Sequence, residues 1–278
     1  FRFIQPTKQS GTNSSNTTLD IAFQYTESSP DKALLQVGFP SGTYTNYTIT
    51  PESTTARATL SSLSNGLHNF TMFANDTAGN WGTNSSTYTM TIDASSPSAL
   101  ANTTIYPTTQ TKAKTGDIVT LRATLTDSGT GIKNATVAAG NACTAATTLT
   151  ISSGSLYTGS CTIKSSPTEG ANALTVTTYD FAENSDSSTT VSVDIDTTSP
   201  TVTVSSPTNT TYGTSTINLN VYATESINTW WYSLNGGANT TFTPNTTISA
   251  QANSNNIIVS ANDSANNMKS SQVYFSLD

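Results

Sequence analysis

Apolar residues recur at every second position in short runs, and the same two runs return three times along the chain. The earlier run of each pair is Leu19, Ile21, Phe23, Tyr25, then Val119, Leu121, Ala123, Leu125, then Ile217, Leu219, Val221, Ala223. The later run is Phe70, Met72, Ala74, then Leu174, Val176, Thr178, then Ile257, Val259, Ala261. A period of two with polar residues between predicts strands with one buried and one wet face. Ala, Leu, Glu and Lys are nowhere gathered at a helical period, so helices are not expected.

Each later run leads in the same phase into an aspartate: Asp76, Asp180 and Asp263. A turn follows each time, Thr77-Ala78-Gly79-Asn80, Phe181-Ala182-Glu183-Asn184 and Ser264-Ala265-Asn266-Asn267. A last alternating strand then closes the unit, Tyr88 to Asp93, Val191 to Asp196 and Val273 to Asp278. Each unit opens on a short run ending in proline, at Pro6, Pro107 and Pro207, and the joints Ser95-Ser96-Pro97 and Thr198-Ser199-Pro200 repeat as well. Proline stiffens a short link and cannot extend a central strand. The pattern predicts an all-β chain of three tandem immunoglobulin-like β-sandwich domains in a rod, spanning 1–94, 95–197 and 198–278.

Composition agrees with many short strands and turns. Ser and Thr make up about a third of the 278 residues, and only 10% are charged. Thr favours strands, and Ser and Asn favour turns. The net charge of −7 with only ten Lys and Arg argues against nucleic-acid binding. No run of apolar residues is long enough to span a membrane as a helix, and no apolar N-terminal leader is visible. A chain beginning at Phe1 rather than Met is expected to be processed or partial.

The Asp-x-Ala-Gly-Asn turn at Asp76 to Asn80, its looser copies at Asp180 and Asp263, and Trp231-Tyr232-Ser233-Leu234-Asn235-Gly236-Gly237 resemble the tandem immunoglobulin-like repeats of archaeal and bacterial cell-surface proteins. The resemblance covers the whole chain and is specific for architecture. It implies stalks, adhesins, surface-layer components or filament subunits. The middle unit departs most, because Glu183 stands where the first turn has Gly79.

Cys143 and Cys161 are the only cysteines, and an extracellular setting predicts a disulfide between them. Two ligands alone would make a poor zinc site. Sequons occur at Asn13, Asn16, Asn46, Asn69, Asn75, Asn84, Asn102, Asn134, Asn209, Asn239, Asn245 and Asn262. Covalent N-glycans on several of them would supply solvated bulk in a chain short of charge, although sequons also arise by chance in a chain this rich in Asn, Ser and Thr. Asn75 and Asn262 each precede the repeated Asp and read equally as turn formers.

The repeated Asp side chains fit two roles, capping their own turns or contributing to calcium binding. Asp93, Asp194 and Asp196, at the joints, are the candidates for interdomain calcium; no other cofactor is expected. Trp230, Trp231 and Tyr232 would either stack on a sugar or alternate between core and surface, and Trp81 reads the same way. Lys112, Lys114 and Lys164 leave an intramolecular isopeptide open. Catalysis finds no foothold: His68 is the single His, and no Gly-x-Ser-x-Gly elbow, His-rich metal set or Gly-rich phosphate loop occurs. No catalytic residue is expected, and the chain is not expected to be an enzyme.

Phe1, Arg2, Phe3 and Ile4 form an unusually apolar opening segment. It serves either as the first strand of its own sandwich or as a donor strand completing a neighbour's sheet. The expected function is an extracellular structural glycoprotein, a self-associating subunit of a cell-surface filament, stalk or surface layer. The alternative is an adhesin or glycan-binding module.

Overall fold

The computed structural model describes residues 1–5, 7–27 and 29–278; Pro6, which ends the first opening run, lies outside them. The first unit contains β1 (Arg2–Ile4), β2 (Thr12–Ser14), β3 (Leu19–Gln24), β4 (Pro30–Gly38), β5 (Tyr44–Ile49), β6 (Thr55–Leu60), β7 (Gly66–Asp76), β8 (Trp81–Thr83) and β9 (Tyr88–Ile92). The second contains β10 (Ser98–Ile105), β11 (Ile118–Thr126), β12 (Ile132–Val137), β13 (Thr147–Ser153), β14 (Leu156–Thr162), β15 (Gly170–Asp180) and β16 (Ser185–Ile195). The third contains β17 (Val202–Ser206), β18 (Thr211–Tyr212), β19 (Thr216–Ala223), β20 (Thr229–Leu234), β21 (Thr240–Phe242), β22 (Thr246–Ser249), β23 (Asn253–Asn262) and β24 (Met268–Leu277).

The outer units share one topology. One sheet runs β1-β3-β6 and its counterpart β17-β19-β22; the other runs β2-β9-β7-β4-β5 and its counterpart β18-β24-β23-β20-β21. In both, the opening segment splits. Its first part pairs antiparallel with one sheet (β1 on β3, β17 on β19), and its second part pairs parallel with the closing strand (β2 on β9, β18 on β24). This is an immunoglobulin-like sandwich, in which the split strand ties the two layers together. In the middle unit β13 joins the layers: Thr147 to Leu149 pair with β12, whereas Thr150 to Ser153 pair with β14.

The alternating runs predicted from sequence supply the cores. Leu19, Ile21, Phe23, Leu35, Phe70, Met72, Met90 and Ile92 fill the first; Leu121, Leu125, Leu174, Val193 and Ile195 anchor the second; Leu219, Ile257, Val259 and Phe275 anchor the third. Each fully buried Leu, Ile or Phe contributes about 1.5–3 kcal/mol relative to exposure. Residues 93–98 and 196–201 lie between the cores. Strand packing is concentrated within each unit, and the units meet through turns and loops.

Phe1–Ile4 is used at home. β1 pairs Arg2 with Gln24, Phe3 with Phe23 and Ile4 with Ala22, and the Phe3 ring lies 4.2 Å from Tyr88. Cys143 and Cys161 are disulfide-bonded and buried, tying the loop after β12 to β14. Trp230 and Tyr232 pack against the third core with Phe242, at 6.2 and 5.6 Å between ring centroids. Trp231, the residue between them, belongs to the opposite face of β20, so the three aromatics do not form one platform. His68 is fully buried in β7, with Nε2 2.8 Å from the Ser64 carbonyl oxygen.

Candidate functional site at the joints

The three Asp turns have one geometry. The Asp amide donates to the carbonyl four residues on, at 3.1–3.2 Å, and the Asp carbonyl accepts from the amide three residues on. Both Asp carboxylate oxygens are engaged by the closing Asn: Oδ1 accepts the Asn backbone N–H at 2.8–2.9 Å, and Oδ2 accepts the Asn Nδ2–H at 2.7–2.9 Å. The fourth turn position is left-handed throughout: Gly79 at φ 88°, Glu183 at 71° and Asn266 at 63°. Gly adopts this conformation without strain, Asn tolerates it, and a Glu is held there at a cost. The middle turn therefore keeps its shape despite lacking the glycine, with Lys133 paired to the Glu183 carboxylate.

The closing Asn also reaches out of its own unit. Asn184 Nδ2 donates to the Asp93 carbonyl at 2.7 Å, and Asn267 Nδ2 donates to the Asp196 carbonyl at 2.8 Å. One amide thus ties the turn of a unit to the strand end of the unit before it. Asp93 and Asp196 are in-phase residues, each directly following the last strand residue, Ile92 and Ile195.

A third acid joins each joint from the loop after the second long strand. Carboxylate oxygens of Asp93, Asp127 and Asp180 lie within 4.8 Å of one another, and so do those of Asp196, Glu225 and Asp263. Asp194 stands outside both sets. Its carbonyl accepts the Ala113 N–H and its own N–H donates to the Tyr106 hydroxyl. Asp127 and Glu225 were missed from the sequence, yet both fall two residues past the alternating runs ending at Leu125 and Ala223. Their phase was a usable signal.

The two joints balance charge differently. At the second, Lys112 Nζ lies 3.3 Å from Asp196 Oδ2. That contact holds the ammonium above its usual pKa, whereas burial, with Asp196 and Asp263 nearby, raises the Glu225 carboxyl. The loop carrying Lys112 grips the third unit further: Gln110 Nε2 donates to the Ala265 carbonyl, Thr111 N–H to that of Ser264, and Lys114 Nζ to that of Asn266. At the first joint, no Lys or Arg among the described residues forms an ion pair with Asp93, Asp127 or Asp180. Asp93 and Asp180 are fully buried there. Asp93 Oδ2 accepts from the Thr130 amide and hydroxyl, and Asp127 Oδ2 from the Gly129 and Gly131 amides. Asp127 Oδ1 is buried and has no hydrogen-bond partner among the described residues.

The sequons divide by accessibility. Asn16, Asn46, Asn134, Asn209, Asn239 and Asn245 are exposed. Asn75 is buried, its Nδ2 beside Asp31 and its Oδ1 accepting the Lys32 N–H. The Nδ2 groups of Asn13, Asn84, Asn102 and Asn262, where a glycan would attach, donate to Phe181, Ser86, Thr190 and Asn266. Asn69 is half-buried in β7.

No family model matches the chain, and no curated protein matches it. Solved structures do align with it. A calcium-stabilised adhesin with which an Antarctic bacterium binds ice is 16% identical, with 96% of this chain and 71% of that chain covered and a TM-score of 0.45. The Escherichia coli adhesin FdeC is 13% identical, with 97% and 94% covered and a TM-score of 0.42. The fibronectin(III)-like modules of Clostridium thermocellum CbhA are 14% identical, with 70% and 94% covered and a TM-score of 0.36.

Proposed function

We propose that this protein is an extracellular, cell-surface structural protein whose three sandwiches form a stiff rod, and that it serves as a subunit of a filament, stalk or surface layer. The observation that carries this reading is the repeated joint. Acid and amide side chains that a binding module would spend on a ligand are spent on locking one unit to the next, twice, with the same parts. Covalent N-glycans at the six exposed sequons supply the solvated surface that the low charge content does not. Electron microscopy of the purified chain tests the reading against an adhesin or glycan-binding role. Regular fibres or arrays support it; monodisperse rods that bind a glycan array refute it.

Assembly by donation of Phe1–Ile4 belongs to the same reading. Here β1 already seals its own sheet, so donation would exchange the Phe3 contact with Tyr88 for an equivalent one in a neighbour. Loss of polymers, with folded monomers retained, on deleting residues 1–6 supports donation. Polymers that persist refute it.

Asp127 Oδ1 favours one addition, a divalent cation at the first joint. Three carboxylates gathered without a lysine repel one another, and a hard cation with oxygen ligands relieves that repulsion. Asp93, Asp127 and Asp180 would hold it. The second joint has Lys112 for the same purpose. Calcium should raise the melting temperature of the wild-type chain and not that of Asp127→Asn; a melting temperature unmoved by calcium or chelator refutes the site.

A further inference from the structure

In every unit, the sheet that leads into the Asp turn sets a sequon beside an outward-facing aromatic ring. In the first unit β5 is the edge strand, and β4 fixes its faces. Ala33, Leu35 and Val37 are buried, so Gly38 and Gln36 face outward together with their partners Tyr44 and Asn46. Tyr44 and Asn46 are therefore neighbours on one face. Tyr44 is 64% exposed, and a Cβ at Gly38 would lie 2.9 Å from its Cε1, so the ring reclines over the glycine with most of its surface bare. Asn46 Oδ1 accepts from Gln36 Nε2 at 3.1 Å, which orients the amide and leaves its Nδ2 without a hydrogen-bond partner among the described residues.

The other units repeat the arrangement with different parts. In the second, Asn134 and Tyr179 are a directly opposed pair of β12 and β15. Asn134 is exposed and Tyr179 is 37% exposed, while the adjoining Ala135 and Thr178 are buried, so both face outward. In the third, Asn239 is exposed one residue before β21, and Thr241, which completes its sequon, is the partner of the half-buried Trp231 on β20. Opposed side chains stand about 5 Å apart at Cβ and next-but-one residues of a strand about 7 Å, a span that one sugar ring bridges. Asn16 is the contrast: it is an exposed sequon in a groove lined by Lys8, Asp20 and Met90, with no aromatic ring among the described residues there.

We propose that Asn46, Asn134 and Asn239 are N-glycosylated and that the first sugar of each glycan packs its C–H face on the neighbouring ring, Tyr44, Tyr179 or Trp231, so that these glycans belong to the folded sheet. This rests on the glycoprotein reading above and names which sequons carry fixed glycans. The packing removes bare ring surface from water while the sugar hydroxyls stay wet. Attachment is a group transfer from a sugar activated on a lipid-linked phosphate: Asn Nδ2 bonds to the anomeric carbon, the C–O bond to phosphate breaks with its electron pair leaving on the phosphate, and the amide proton passes to a base of the transferase.

A double-mutant cycle in the first unit tests the packing. The full chain is secreted from a eukaryotic cell line, whose N-glycans begin on N-acetylglucosamine, and is compared with Thr48→Ala, Tyr44→Ser and the double variant. Thr48→Ala ends glycosylation at Asn46 while keeping its bond to Gln36, and because Thr48 and Tyr44 are both exposed neither substitution opens a core. Native-state hydrogen exchange of the β4 amides should be about fivefold faster in Thr48→Ala than in the parent, and unchanged by Thr48→Ala in the Tyr44→Ser background. Trimming the glycans to their first sugar with an endoglycosidase should leave the parent's exchange as it was. Equal effects of Thr48→Ala in both backgrounds, or loss of protection on trimming, overturn the packing while leaving a glycosylated surface standing. Glycopeptides with Asn46, Asn134 and Asn239 bare overturn the inference; if Asn16, Asn209 and Asn245 are bare as well, the glycoprotein reading falls with it.

Discussion

Asn267→Ala removes the amide on which the second joint turns, and its cost can be worked from the contacts. Asn267 is 7% exposed and its Nδ2 makes two hydrogen bonds, one to the Asp263 carboxylate and one to the Asp196 carbonyl. A bond to a charged partner contributes about 1.5–3 kcal/mol net and one to a neutral partner about 1 kcal/mol, so the loss should be roughly 2.5–4 kcal/mol. The first unit provides an internal control. Asn80 makes the same bond to Asp76 but none to another unit, and both residues face solvent. Asn80→Ala should therefore cost only a small fraction of that amount, because water replaces the lost amide. Native-state hydrogen exchange read by mass spectrometry separates the units and follows the amides of Ala265 and Asn267, which donate to Asp263 Oδ1. The expectation is faster exchange at 263–267 and at the strand end near Asp196 in Asn267→Ala. Equal costs for Asn80→Ala and Asn267→Ala would refute the view that the amide links units rather than merely closing its own turn.

Four further outcomes follow from the same geometry. Glu183→Gly should stabilise the middle unit by about 0.5–1 kcal/mol by relieving a left-handed non-glycine residue, less whatever the Lys133 pair contributes; thermal melts of the two forms decide it. Reduction of Cys143–Cys161, which encloses 18 residues of sequence separation, should lower the stability of that unit by about 3 kcal/mol and leave the exchange of the outer units unchanged. Glycopeptide mass spectrometry of native material should find glycans among Asn16, Asn46, Asn134, Asn209, Asn239 and Asn245, with Asn75 bare. The Glu225 carboxyl is raised from its ordinary 4.5, so the folded chain holds that proton more tightly than the unfolded one. Its contribution to stability is present below about 4.5 and is lost as pH rises through the folded value. Glu225→Gln should accordingly be more stable than wild type at neutral pH, with the difference closing in acid.

The fold was legible because burial in a sandwich writes a period of two directly into the chain. The runs through Phe23, Leu121 and Leu219 sit on the core side as the alternation requires. The repeated Asp marks a turn whose hydrogen bonds are local, so its phase alone located it. The joints were less legible because their parts are distant in sequence. Asp127 and Asp180 are brought to Asp93 by strands that end at the same edge of the unit, and no local pattern states which loops will meet. Asp194 illustrates the limit: it lies two residues before Asp196, in the same phase, yet it bonds to Tyr106 and Ala113 instead. The Trp230-Trp231-Tyr232 cluster shows the opposite case, where strand alternation alone separates an apparent platform into two faces.

Small-angle X-ray scattering of the full chain in dilute solution tests the central claim that the three sandwiches are locked in a row by their joints. The account predicts the scattering of an elongated particle with the cross-section of a single sandwich, becoming more flexible in the double variant Asn184→Ala/Asn267→Ala. A compact particle, or a wild-type chain as flexible as the double variant, would contradict it.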